Sequence, residues 1–193
     1  MAWQEAKYSL KGSAPMIHHN GALADPLNPI AKVIKQITGK RKKTDADQLE
    51  IAHLEFVGGL YLNGNGPMCP AVGIEATIIN AAKKTKEGTL AKAGMYVPES
   101  ADVEYDGPRD PEKMWLFEQD GDFPFRYRCP VRVGMAKVMR MRPIFKEWAL
   151  HIKVMFEDTI VNKSRVDEWI ETAGTQVGMF EWRPRHGRFS VEK

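Results

Sequence analysis

An α+β fold built on one antiparallel sheet is the class this sequence predicts, and three observations predict it. Residues Val131–Phe156 alternate with period two, the mark of strands with two unlike faces. Apolar residues recur at helical spacing after Asn28, Thr44, Pro70 and Ser164. Strands and helices then follow one another as strand (6–17), helix (70–86), strand (95–97), strand (131–142), strand (145–156), helix (164–174) and strand (187–191). That β-α-β-β-α-β order is the ferredoxin-like, split βαβ pattern, with a helical insertion after the first strand.

Each element has a local reason. The first strand runs from about Ala6 to Ile17, and the polar His18–Gly21 stops it. Asn28 is a good N-cap and Pro29 suits the first helical position; Ile30, Val33, Ile34 and Ile37 form one stripe, and Gly39 ends it. Thr44 and Asp47 read as a capping box for a second helix, with Leu49, Ala52, Phe56 and Leu60 inward. These two helices make an inserted hairpin over residues 22–60. Asn63-Gly64-Asn65-Gly66 marks a tight turn. From Pro70 to Lys86, Val72, Ile74, Ile78 and Ile79 make a buried side, and Lys83, Lys84 and Lys86 suit the negative end of the helix dipole. Residues 98–121 are acidic and rich in turn formers, which predicts a surface lobe rather than a second domain. Strands 131–142 and 145–156 read as an antiparallel pair around Pro143, one face apolar and the other bearing arginine. Ser164 and Asp167 read as a further capping box, and Gly174 stops that helix.

At 193 residues and 43% hydrophobic content the chain fits a single domain, 1–193, with a proper core. The net charge of +3 is mild, but it is unevenly spread. Between Arg126 and Lys153 eight cations face one acid, Glu147, for a local +7. Such a sector is a directional electrostatic footprint. Cys69 and Cys129 cannot build a disulfide framework, and the five histidines show no metal-ligand spacing. No apolar run is long enough to span a membrane, and a cytoplasmic setting is expected.

The candidate site gathers the cations that have aromatic or turn neighbours. Lys40, Arg41, Lys42 and Lys43 sit between two helices, either as a phosphate-contacting finger or as a solubilising loop. Arg132, Arg140 and Arg142 belong to the basic strand face, which could also be merely solvated. The stretch Trp182–Phe189 packs Arg183, Arg185 and Arg188 beside Trp182 and around Gly187. Arginine forks bind phosphate bidentately and an indole stacks bases, while the plainer alternative is a structural turn. Asp25, Asp45, Asp47, Glu50 and Glu55 could be a nuclease's metal carboxylates, but first-turn acids explain Asp45 and Asp47 better. No nucleophile elbow, Walker A loop or dinucleotide fingerprint occurs, and no cofactor is expected.

The stretches Gly21–Asp47, Leu54–Leu62, Met139–Trp148 and Ala173–Phe189 resemble a family of uncharacterised phage-encoded proteins. The overall layout is also similar to the Cas7-type RAMP proteins, whose ferredoxin-like core holds guide RNA. Together these resemblances imply a phage protein that coats or anneals single strands, as a multimer in some cases. The reading is therefore a non-enzymatic binder of single-stranded DNA or RNA, working through a basic sheet face and the Arg/Trp loop. Two others stay open: a phage assembly or host-factor-blocking protein that self-associates, and a metal-dependent nuclease.

Overall fold

The computed structural model describes residues 3–192; residues 1, 2 and 193 of the expected single domain lie outside them. The described chain is a mixed α+β arrangement of antiparallel sheets and six α-helices. β1 (Trp3–Gly12) turns Ala6, Tyr8 and Leu10 inward and Glu5, Lys7 and Lys11 outward. The expected strand over 6–17 is in fact two. The chain turns after Gly12, where a Cβ would enter the Trp148 indole, and β2 (Met16–Ile17) joins another sheet.

α1 (Pro29–Thr38) starts as expected, with the Asn28 side chain accepting from the Ala31 amide at 3.1 Å. α2 (Asp45–Gly59) opens on the predicted capping box of Thr44 and Asp47. Phe56 and Leu60 are buried, but Leu49 points to solvent. The turn at Gly64–Asn65 joins β3 (Leu62–Asn63) to β4 (Gly66–Cys69). α3 (Ala71–Ala82) buries Ile74, Ile78 and Ile79 and exposes Val72, which was expected inside. α4 (Gly88–Gly94) leads into β5 (Met95–Tyr96).

The acidic stretch 98–121 contains β6 (Ala101–Asp102) and α5 (Pro111–Leu116). Val103, Met114 and Trp115 of this stretch are buried in the common core. β7 (Arg126–Val133), β8 (Ala136–Phe145) and β9 (Ala149–Glu157) follow. α6 (Lys163–Thr172) begins earlier than predicted. Its cap is Asn162, accepting from the Arg165 amide, and Asp167 instead receives bonds from Lys163 and Tyr8. β10 (Phe189–Glu192) closes the chain.

The largest sheet has the order β10-β1-β9-β5, antiparallel at every pairing. Its inner face carries Ala6, Tyr8, Leu10, Leu150, Ile152 and Val154, all buried. The Tyr8 hydroxyl donates to Asp167 of α6 at 2.7 Å, so α6 lies over that face. A second sheet runs β2-β8-β7 and a third β3-β4-β6. The expected pairing of 131–142 with 145–156 does not form: β8 pairs with β7 and β2, and β9 with β1 and β5. His18, fully buried, sits among the rings of Tyr61, Phe145 and Phe180, and burial lowers its pKa to about 3. Among the described residues no helix is long and apolar enough to cross a membrane.

Candidate nucleic-acid interface

The basic stretch is a β-hairpin. Val133 pairs with Ala136 across the two-residue turn Gly134–Met135, and Gly134 takes φ 59. A positive φ at the first turn position is natural for glycine and matches the strand twist. The turn also reverses parity. Residues directly opposite in an antiparallel pair share a face. One face therefore holds Tyr127, Cys129, Val131 and Val133 with Arg142, Arg140, Val138 and Ala136. The other holds Arg126, Arg128, Pro130 and Arg132 with Pro143, Met141, Met139 and Lys137. Arg132 is thus on the opposite face from Arg140 and Arg142, not beside them as expected.

Arg140 and Arg142 also leave the solvated face. Glu55 of α2, itself buried, accepts from Arg140 Nη1 at 2.5 Å and from the Met141 amide at 2.8 Å. Arg142 is buried and donates to the Met141 carbonyl at 3.1 Å. Its charge helps burial hold the His19 imidazole below the usual histidine range, against the pull of Glu181. Arg126 is structural as well, its guanidinium 3.7 Å from the ring centres of Trp115 and Phe123. The cations that remain exposed on the hairpin are Arg128, Arg132 and Lys137, which form no ion pair among the described residues.

The helical hairpin docks along this one. Gly59 faces Pro143, Glu55 holds Arg140 and Met141, and Gln48 and Ile51 line the same shallow hollow as Met139. From Gly59 back to Asp45 an α-helix rises about 21 Å. From Pro143 to Lys137 a strand covers about 20 Å. The Lys40–Lys43 turn is therefore carried toward the tip end of the β-hairpin. Within that turn Lys40 is ion-paired to Asp47 at 2.5 Å, and Lys43 donates to the Lys40 carbonyl at 3.2 Å. Arg41 and Lys42 are exposed.

The Arg/Trp loop sits at the hairpin's base. Gly178 and Gly187 have φ 75 and 71, and the Met179 amide donates to the Gly187 carbonyl at 2.9 Å. The Gly187 amide donates to the Pro15 carbonyl at 2.8 Å, pinning the loop to the β1–β2 connection. Between these anchors Phe180 and Trp182 are held at φ 58 and 53, a conformation bulky residues rarely adopt. Trp182, 38% exposed, meets Tyr127 edge-on at 5.7 Å and His186 at 6.0 Å. Arg183, Arg185 and Arg188 are exposed around it. Tyr127 is on β7, outside the strand 131–142 that was expected to meet the loop, and it shares its face with Arg142, opposite Arg128, Arg132 and Lys137.

The outer face of the largest sheet, expected to be free for nucleic acid, is charge-balanced. Lys7 pairs with Glu5, Lys11 with Glu192, and Lys153 with Glu99 and Glu5. The carboxylates considered for a nuclease are dispersed or engaged, Asp47 by Lys40 and Glu55 by Arg140. Among the described residues no three His, Cys, Asp or Glu side chains form a metal-holding group. Sequence reasoning weighed Glu55 only as a metal carboxylate and missed its pairing with Arg140, since its burial has no local signal, and it missed Tyr127, whose role depends on a loop 55 positions later.

No family model and no curated protein matches the chain, so the likeness to phage-encoded proteins finds no support there. Among solved structures, Cmr6 from Pyrococcus furiosus overlays on the chain with a TM-score of 0.43 and 8% identity, over 100% of both chains. That is a weak structural likeness.

Proposed function

We propose that this chain binds single-stranded nucleic acid without catalysing a reaction on it. The carrying observation is the docking of α2 along β8, which carries the Lys40–Lys43 turn toward the end of the hairpin that bears the unpaired Arg132 and Lys137. Cations without acid partners retain their full attraction for phosphate. Trp182 at the hairpin's base, backed edge-on by the half-buried Tyr127, supplies an exposed ring for stacking, which favours unpaired bases over a duplex. The sheet order β10-β1-β9-β5 supports a ferredoxin-like reading of the scaffold.

Fluorescence anisotropy with labelled oligo(dT), oligo(U) and a duplex, over a range of salt, tests the reading. Binding should be tighter for the single strands and should weaken as salt rises. Absence of salt-dependent binding to any of them would end it.

A second reading, docking to another protein or to a second copy, is favoured by the apolar tip. Met135 is 97% exposed in the turn, Val133 is exposed at its edge, and Met139 is exposed further down the hairpin. Mass measurement at two salt concentrations separates the cases, since a monomer at every protein concentration counts against self-association.

A further inference from the structure

Three soft donors meet in the core. Met16 on β2, His18 just after it and Cys69 at the end of β4 are all 0% exposed. Cys69 Sγ lies 3.8 Å from Met16 Sδ and 4.0 Å from His18 Nε2. The arrangement follows from local geometry. Met16 and His18 are two apart on an extended segment, so their side chains leave on the same side. The β3–β4 hairpin brings Cys69 to meet them.

The imidazole is costly where it stands. His18 Nδ1 is buried with no hydrogen-bond partner among the described residues. Its other nitrogen has only a thiol at 4.0 Å. A buried polar atom left unpaired costs about 1–3 kcal/mol. A phenylalanine would fill the same slot among Tyr61, Phe145 and Phe180 without that cost. A histidine kept there asks for a role beyond packing.

We propose that Met16, His18 and Cys69 form a binding site for monovalent copper, Cu(I). The spacing is right for one ion. At tetrahedral to trigonal angles two sulfurs at about 2.3 Å from one metal stand about 3.8–4.0 Å apart, and a sulfur and a nitrogen at about 2.0 Å stand about 3.5–3.7 Å apart, so the His18 imidazole moves in by about 0.3 Å when an ion binds. The donor types choose the metal. Thiolate and thioether are soft ligands that select Cu(I), whereas zinc sites use thiolate, imidazole and carboxylate. Charge chooses it again. As the copper–sulfur bond forms, the Cys69 thiol gives its proton to solvent, and thiolate plus Cu(I) sum to zero. A divalent ion would leave a net positive charge in a dry site, where uncompensated charge is expensive. Phe180 and Tyr61 are the half-buried rings of the surrounding shell, so the side that these two rings cover is the route to the donors.

The test is an anaerobic titration of the whole purified chain with Cu(I) against the chelator bicinchoninate. One equivalent should be withheld from the chelator, with an ultraviolet thiolate-to-copper band. X-ray absorption of the loaded protein should show two sulfurs at about 2.3 Å and one nitrogen at about 2.0 Å. Met16→Leu nearly conserves volume and should weaken binding at least about tenfold. Cys129→Ala should bind as wild type, and circular dichroism checks that each variant is folded. The assignment is overturned if the chelator strips wild type completely, or if folded Met16→Leu holds copper as tightly. Should Cys69→Ala not fold, the ligand set seen by X-ray absorption in wild type decides.

Discussion

Glu55 and Arg140, 85 positions apart, form the ion pair that ties the helical hairpin to the β-hairpin. One carboxylate oxygen takes the guanidinium at 2.5 Å and the other takes the Met141 amide at 2.8 Å. Glu55→Ala strands a half-buried guanidinium and an edge amide. Stability should fall by about 2–4 kcal/mol, read as a lower urea midpoint at unchanged slope. A loss below about 0.5 kcal/mol would mean that apolar packing alone holds α2.

The same pair divides the arginines into structural and available ones. Arg132→Ala combined with Lys137→Ala should leave the thermal midpoint within a few degrees of wild type. It should also flatten the log-log salt dependence of single-strand binding by about 1.4, roughly 0.7 for each lost phosphate contact. Arg142→Ala, by contrast, should act chiefly on stability. If Arg132 and Lys137 leave the slope unchanged, the hairpin is not the contact.

Lys40 and the Thr44 backbone hold the Asp47 carboxyl down to about 2, from an ordinary value of 3.8. With the folded value depressed, the unfolded chain takes up the proton first as pH falls. The contribution is therefore fully present above about pH 5 and lost as pH drops through about 2. Asp47→Asn should melt below wild type at pH 7, and the gap should narrow between pH 5 and 2.5. A gap independent of pH would show that the hydrogen bonds alone matter.

Trp182 and Gly187 separate chemistry from scaffold within one loop. Trp182→Ala removes a partly exposed ring and should weaken single-strand binding by about 1–3 kcal/mol with little change in folding. Gly187→Ala places a Cβ against the Met179 backbone at a φ of 71, so it should lower the melting temperature and weaken binding together. Equal binding by Trp182→Ala and wild type would remove stacking from the proposal.

What the sequence by itself determined is local. Asn28, Thr44 and Asp47 announced two helix starts because a cap and its amides lie within three residues of each other. Asn63–Gly66 announced a turn for the same reason. The cation-rich segment and the Arg/Trp loop were likewise visible as composition. Only the tertiary structure decided which cations are free. Gly134 reversed the parity of a seemingly continuous strand, a change that period-two counting cannot register. Glu55 claimed Arg140 from 85 residues away, Arg142 was buried, and Trp182 found Tyr127 across the sheet. Charge patterns show where cations are, but pairing and burial set their availability. Those depend on long-range docking of α2 and the 178–188 loop, which no short window of sequence contains.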